Sequence, residues 1–416
     1  MEEQVSIDTL LSGNEGTMLS ATSVDASISE QQLRLKTSIS DVDEVFGGGI
    51  VLGSVNLLAG QPGIGKSTLL LQIASAVANS SRVLYVSAEE SLQQIGIRAK
   101  RLGMKAGKLK LAAATSANDI AATIAKGAYD LVIVDSIQTV TSAEVSSAAG
   151  TVSQITNSAH LIIVAAKQSN TAVLLVGHVT KEGSIAGPKI LEHVVDVVLQ
   201  LEGDRYGGFK ILRSVKNRFG STNEAGIFEM VESGLKPVEN PSEALLAERQ
   251  VSDGSIVLAT LEGTRPLLVE VQALVNQTTY GYPKRAASGF DQSRLNLLIA
   301  MLEKRTKLQL ADKDIYINMV GGMQIREPAA DLAVCMAIGS ATKGLLLSEN
   351  AVVFGEVGLS GEIRHVTETE KRLREAQKLG FVGAIGPKSR AAKSPKTLLG
   401  VSDVRTALNL YLKKSD

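Results

Sequence analysis

The sequence predicts an α/β protein in two domains, the first built on a parallel-rich sheet, and three observations predict it. The octapeptide Gly60-Gln61-Pro62-Gly63-Ile64-Gly65-Lys66-Ser67 fits G-x-x-x-x-G-K-[ST] between an apolar strand-like run, Ser54–Ala59, and an apolar helix-like run, Thr68–Val77. Leu131-Val-Ile-Val-Asp135 is an apolar strand that ends in a carboxylate. Between these motifs strand-like and helix-like runs alternate, which is the pattern of a parallel sheet covered on both faces.

In chain order, Met1 to about Gln32 is rich in Ser, Thr, Glu and small residues and is expected to be a flexible segment over 1–32. Ser40 is placed as the cap of a short helix, Asp41–Phe46, which Gly47–Gly49 ends. Then follow a strand at Val55–Leu58, the glycine-rich turn, a helix Lys66–Ala78, a strand Val83–Val86, a helix near Leu92–Leu102, a strand Lys110–Ala112, a helix Asn118–Gly127 and the strand Leu131–Val134. A helix near Thr151–Ala159, strands Leu161–Ala165 and Ala172–Val176, and a closing hairpin of Val194–Leu201 with Phe209–Ser214 complete a first domain over 33–236. Pro237 and Pro241 flank a polar stretch that marks the boundary. A second α/β domain over 243–416 follows, with strand-like segments Ser255–Leu261, Leu267–Leu274, Ile315–Val320 and Val352–Val357 and helices Gln292–Arg305, Pro328–Ser340 and Thr367–Leu379.

Composition excludes several classes. The chain has 416 residues, and its 43 Lys and Arg balance 43 Asp and Glu, so no global positive field draws it to nucleic acid or anionic lipid, and such binding must come from local patches. Cys335 is the one cysteine, which rules out an internal disulfide or a cysteine zinc cluster; no zinc is expected. No apolar run reaches the length of a membrane span and no signal-peptide pattern opens the chain, so a soluble, cytoplasmic protein without membrane contact is expected. Aromatic residues make up 3% with no Trp, which argues against a surface built on stacked bases.

The octapeptide and Thr68 read as a nucleoside-triphosphate site. Across Gly60, Gln61, Pro62, Gly63, Ile64 and Gly65 the glycines let successive backbone N–H groups turn toward a phosphate, Lys66 can reach the β and γ oxygens, and the Ser67 hydroxyl can hold Mg²⁺. The helix that starts at Lys66 aims its positive dipole end at the same anion. Asp135, at the carboxyl end of its strand, is placed beside the metal or its waters. Glu89 and Glu90 follow the strand Val83–Val86; one of them can polarise the attacking water, with Glu89 favoured, although an acidic pair is also what a helix dipole selects. His178 ends another strand at the same edge and can donate to a phosphate or to a polynucleotide, or serve structure alone. Thr180–Pro188 reads as a mobile loop with Lys181 in it and Lys189 beside it. Lys216-Asn-Arg-Phe-Gly220 lies far along the sheet from the phosphate turn; Lys216 and Arg218 are a basic surface turn or, if copies close into a ring, a finger acting in trans on a neighbour's triphosphate.

Together, Leu35-Lys-Thr-Ser-Ile-Ser-Asp-Val-Asp-Glu-Val-Phe-Gly-Gly-Gly-Ile50, the phosphate turn, Tyr85-Val-Ser-Ala-Glu-Glu-Ser91, Val134-Asp-Ser-Ile-Gln-Thr139 and Lys216-Asn-Arg-Phe-Gly220 resemble the bacterial DNA-repair ATPases of the RadA (Sms) family from about residue 33 to the C-terminus. The last element separates that family from RecA and from KaiC. The resemblance implies a RecA-like P-loop ATPase core, ATP and Mg²⁺, a hexameric ring like DnaB-type helicases, binding of single-stranded and branched DNA, ATP-driven branch migration, and partnership with RecA. It gives Lys66, Ser67 and Asp135 to nucleotide and Mg²⁺, makes Glu89 the base and Lys216 with Arg218 a motor element, and makes Lys181 and Lys189 candidate DNA phosphate contacts. The family also implies a four-cysteine zinc finger, for which this sequence holds only Cys335. Gly321–Asp331 and Gly355–Arg364 resemble the proteolytic domain of Lon, yet the nucleophile position carries Ala329 and the lysine position Arg372, which cannot act as a base. A scaffold without peptidase chemistry is expected there, with Lys284, Arg285 and Arg294 as further candidate DNA contacts.

Overall fold

The computed structural model describes residues 34–104, 108–178, 189–203, 208–279, 281–347, 350–388 and 397–414. The segment 1–32 and the whole of the 180–188 loop, Lys181 included, lie outside the described residues.

A short helix α1 (Ser40–Val45) precedes β1 (Val55–Gly60), α2 (Lys66–Val77), β2 (Val83–Ser87), α3 (Leu92–Arg101), β3 (Leu109–Ala113), α4 (Ala117–Ala125), β4 (Leu131–Asp135), α5 (Val152–Ser169), β5 (Ala172–His178) and α6 (Lys189–Val194). Four more strands, β6 (Val197–Gly203), β7 (Phe209–Asn217), β8 (Ala225–Val231) and β9 (Gly234–Pro237), complete a nine-stranded sheet in the order β9-β8-β7-β6-β1-β5-β4-β2-β3. From β6 to β3 neighbouring strands run parallel, whereas β6 through β9 form an antiparallel meander. β1 is buried at every position and sits between β5 and β6, as its largely apolar sequence suits a central parallel strand, and its one polar side chain, Asn56, donates to the Ser54 hydroxyl at 2.9 Å and the Val173 carbonyl at 3.0 Å.

Three local expectations are corrected. Leu161–Ala165 is no strand: Val152–Ser169 is one helix, capped by Thr151, whose hydroxyl accepts from the Gln154 amide, and ended by Asn170 at φ 53°. Its buried residues Ile155, Ala159, Ile162 and Ala166 follow the 3.6 period, which a window confined to the apolar run hides. Ser40 does not cap α1; the Asp43 carboxylate instead accepts from the Thr37 amide at 2.9 Å and the Thr37 hydroxyl at 3.0 Å. The hairpin of 197–217 does not close the sheet either. β8 and β9 continue it, and Lys216 and Asn217 belong to β7 itself.

The chain then enters α7 (Pro241–Leu246), β10 (Ser255–Glu262), β11 (Arg265–Gln277), β12 (Arg285–Ser288), α8 (Gln292–Thr306), β13 (Lys313–Met319), α9 (Asp331–Lys343), β14 (Ala351–Val353), α10 (Thr369–Lys378), β15 (Gly383–Pro387), β16 (Leu398–Val401) and α11 (Val404–Tyr411). Their sheet has the order β12-β13-β11-β10-β14-β15-β16. Packing does not break between the two sheets: Ile211, Ala225 and Ile227 of the first share one buried apolar cluster with Val257 and Leu268 of the second and with Ala333 of α9. Polar contacts join them as well. Arg213 pairs with Glu262, Arg265 donates to buried Asp41 at 3.1 Å, and the Thr264 amide donates to the Asn223 carbonyl at 2.7 Å.

Candidate active site

Strand register assembles the site. Gly60 lies opposite His178, and Ser87 lies opposite Asp135, so the ends of β1, β5, β2 and β4 share the carboxyl edge of the parallel strands, where open α/β sheets bind ligands. Gly60–Ser67 leaves β1 there and turns into α2 at Gly65, whose φ of 116° favours glycine; a Cβ would also come within 2.7 Å of the Met230 methyl, which would have to shift. No side chain caps α2, so its first amides remain available to an anion.

Lys66 is buried, and its ammonium donates to the carbonyls of Gly60 at 2.9 Å and Gln61 at 3.0 Å. Burial lowers its pKa to about 8, against the opposing charges of Asp135 and Glu89. Glu89 accepts from the Ser136 hydroxyl and lies 3.4 Å from His178 Nε2. The hydrogen bond to His178 first, and that to Ser136 next, hold its carboxyl below the usual range against desolvation. Glu90 points elsewhere: its carboxylate is bound by Arg98 of α3 at 2.5 Å, and its amide donates to the Ser87 hydroxyl at 2.9 Å. The two adjacent glutamates are therefore sorted, with Glu89 turned into the cluster and Glu90 tied to a helix. Asp135 accepts from the hydroxyl of buried Tyr85 at 2.5 Å. Ser67 and Asp135 offer oxygen donors of the kind Mg²⁺ prefers.

Tyr85 and Ser136 are site residues that the sequence reading did not single out. Tyr85 is hidden inside an apolar strand, and Ser136 directly follows the carboxylate that marks the strand end. Gln138 is a third, with both side-chain polar atoms buried and unpartnered among the described residues, close to Gly177 and hence to His178.

Lys216 and Arg218 lie at the opposite edge. Val197 of β6 stands opposite Asn56 of β1 and Asn217 of β7, and Val198 stands opposite Leu57 and Lys216, so Lys216 is level with Leu57 and Arg218 with the start of β1, about 10 and about 17 Å of strand from Gly60. The Lys216 ammonium donates to the carbonyls of Glu192 at 2.7 Å, His193 at 3.3 Å and Val195 at 2.8 Å, and so fastens the end of α6. Burial, then the nearby Arg218 charge, lowers its pKa. Arg218 donates to Asp196 at 3.0 Å. The rest of the motif docks on α1 and its glycines: Asn217 reaches the Val45 carbonyl, Arg34 holds the Phe219 carbonyl at 3.0 Å, and Gly47 packs so tightly on Gly220 that a Cβ on Gly220 would lie 2.9 Å from the Gly47 Cα.

Among the DNA-contact candidates, His178 sits against Glu89, Lys189 opens α6 with its side chain outside the described part, and Lys284 and Arg285 lie at the edge strand β12 of the second sheet. Arg294 is committed inward, to buried Asp331 and the Val357 carbonyl, and is corrected from a surface contact to a structural one. Arg372 is fully buried; it binds Glu327, the Ala259 carbonyl at 2.8 Å and the Thr367 carbonyl at 3.1 Å, and covers the Phe354 ring at 5.7 Å. Glu327 also accepts from the Thr260 hydroxyl at 2.8 Å and the Leu261 amide at 2.9 Å, and Ala329 is buried nearby in sequence.

Residues 25–184 match the family model described as AAA domain, and residues 274–390 match that of Subunit ChlI of Mg-chelatase. The DNA repair protein RadA of Halalkalibacterium halodurans is 48% identical over 389 residues, covering 92% of this chain and 85% of that protein. The protein of the same name from Brucella abortus is 49% identical over 379 residues, with 89% and 81% covered, and that from Bacillus subtilis is 47% identical over 397 residues, with 94% and 86% covered.

Proposed function

Because the chain belongs to the DNA repair protein RadA family, we propose that this DNA-repair ATPase hydrolyses ATP at the carboxyl edge of its first sheet and uses the cycle to move along single-stranded DNA and drive branch migration. The observation that carries the reading is the register that gathers Lys66, Glu89, Asp135 and His178 at one strand edge while leaving Arg218 at the other. In this reading the turn 60–68 cradles the phosphates, Lys66 leaves its two carbonyls for the β and γ oxygens, and Ser67 and Asp135 hold Mg²⁺, which neutralises phosphate charge when bound. Glu89, ionised at neutral pH, orients a water whose oxygen bonds to the γ phosphorus as the bond to the β–γ bridging oxygen breaks; the water's proton passes to Glu89 or to the departing phosphate, and ADP leaves.

An arginine that cannot reach its own triphosphate suits a neighbour's, so copies assemble as a closed ring, a hexamer in this proposal, with Arg218 acting across each interface. Single-stranded and branched DNA are the polymer substrates, RecA the partner, and the second domain a Lon-like scaffold without a peptidase nucleophile, with Lys284 and Arg285 offered to DNA phosphates. The test is ATP turnover with and without single-stranded DNA. Turnover rises with DNA and is lost in K66A; turnover indifferent to DNA sinks the motor and leaves a simple ATPase.

A further inference from the structure

Asp196 joins three elements at the edge opposite the phosphate turn. Its side chain is 3% exposed. One carboxylate oxygen accepts from the Val55 amide, the first of β1, at 3.0 Å and from Lys167 at the end of α5 at 3.1 Å, while the other accepts from Arg218 at 3.0 Å. The backbone repeats the connection: the Asp196 amide donates to the Val55 carbonyl at 2.8 Å, and the Arg218 amide donates to the Asp196 carbonyl at 3.2 Å.

The two cations of the motif are in different states. An ammonium has three donors, and Lys216 has three carbonyls on them. A guanidinium has five, and Arg218 uses one nitrogen on Asp196 while its side chain stays 54% exposed, with the other nitrogens unpartnered among the described residues. The arm not held by Asp196 is therefore free to meet a phosphate in the planar, two-pronged way that suits arginine. Lys216 cannot do so without releasing α6.

We propose that Asp196 is the positioning residue of Arg218: it grips one nitrogen of the guanidinium, presents the remainder to the next copy's triphosphate, and ties that presentation to the strand that carries its own phosphate turn. This rests on Arg218 acting in trans, and the test separates the two. D196N keeps a carbonyl oxygen for the Val55 amide but removes the charge that holds Arg218. ATP turnover on single-stranded DNA is measured for D196N and R218A, each alone and each mixed with K66A copies, which are dead at their own turn but carry an intact Arg218.

Misplacing a transition-state contact by about 1 Å costs on the order of 10²-fold, so kcat of D196N falls by roughly that factor with KM for ATP unchanged. Mixing with K66A copies restores turnover to both D196N and R218A. Wild-type kcat in D196N beside a dead R218A overturns the role of Asp196 and leaves the finger standing. A D196N defect that K66A copies fail to complement does the same, since it then lies in the variant's own site. Full turnover in R218A refutes the finger itself. Should D196N not fold, D196E is read in the same assay, where lowered kcat at constant KM supports the proposal and wild-type kcat overturns it.

Discussion

The charged cluster at the edge of the first sheet and the one beneath the second use the same residue types to opposite ends. Under the second sheet, Arg372 and Glu327 satisfy one another and four further groups: two carbonyls, one hydroxyl and one amide. At the first edge, Lys66 rests on two backbone carbonyls that a triphosphate can replace, Glu89 remains 39% exposed beside Ser136 and His178, and Asp135 has Tyr85. A saturated buried network fixes a fold, whereas groups left with unmet donors and acceptors can take a ligand. The contrast is also one of availability: the Arg372 guanidinium is engaged by Glu327 and two backbone carbonyls, whereas the carbonyls under Lys66 can give way to a ligand.

The largest effect that can break this comparison is on the structural side. Alanine at 372 leaves Glu327 charged and partly buried without its partner, which costs about 3–5 kcal/mol. Denaturant unfolding followed by a probe beside the second sheet measures it, and the folded fraction of R372A keeps ATP turnover. Lost turnover with undiminished stability would mean that the two clusters are not divided as described. On the reactive side, E89Q keeps the hydrogen bonds but cannot take a proton or orient water by charge. Its kcat falls by about 10²- to 10³-fold with nucleotide affinity intact, while E90Q, altered at an Arg98-bound carboxylate, changes kcat by less than about tenfold.

How much of this was legible beforehand follows from the range of each signal. The phosphate turn, Asp135 and the parallel alternation were readable because their determinants lie within a few consecutive residues. The strand at Leu161–Ala165 was misread because five apolar residues inside an eighteen-residue helix have no period of their own. Glu89 was favoured over Glu90 from the sequence, but the contact that turns Glu90 away, with Arg98 of the next helix, was not legible there, and Asp196 could not be found at all from its neighbours in sequence: its partners are residues 55, 167 and 218. The saturation of Arg372 by Glu327 is likewise a contact across 45 positions. Lys216 and Arg218 were expected after the last core strand and far along the sheet; Lys216 instead belongs to β7, two strands from β1, and the separation from the phosphate turn runs along the strands.

Acidity offers a smaller and more specific test of the reactive cluster. Lys66 titrates at about 8 in the nucleotide-free protein, below its usual 10.5, because burial disfavours the ammonium. Phosphate favours the charged form, so binding above pH 8 must take up a proton, and nucleotide affinity falls by up to about tenfold per pH unit there while staying flat between pH 6 and 7.5. The folded-state cost of the charged lysine is relieved as pH rises from about 8 toward the unfolded value, so this group alone makes the nucleotide-free protein more stable, not less, across that window. Titration with a fluorescent ATP analogue at pH 7 and pH 9 checks the first point; equal affinities would show that Lys66 is not the group that meets the phosphates.

The smallest effect falls on the one hydroxyl in the cluster that comes from inside a strand. Tyr85 donates to Asp135 at 2.5 Å, and burial, followed by the Asp135 charge, raises its pKa so that it remains a neutral donor. Y85F removes one hydrogen bond to a carboxylate that is only partly buried, and water can replace it, so about 1 kcal/mol is lost. If Tyr85 serves to aim Asp135 at the metal, that loss is read as a roughly fivefold rise in the Mg²⁺ concentration for half-maximal turnover, with kcat at saturating Mg²⁺ preserved. A fall in kcat that excess Mg²⁺ does not rescue would instead place the Tyr85–Asp135 pair in the chemical step, and would move it from the supporting frame of the site to its reactive part.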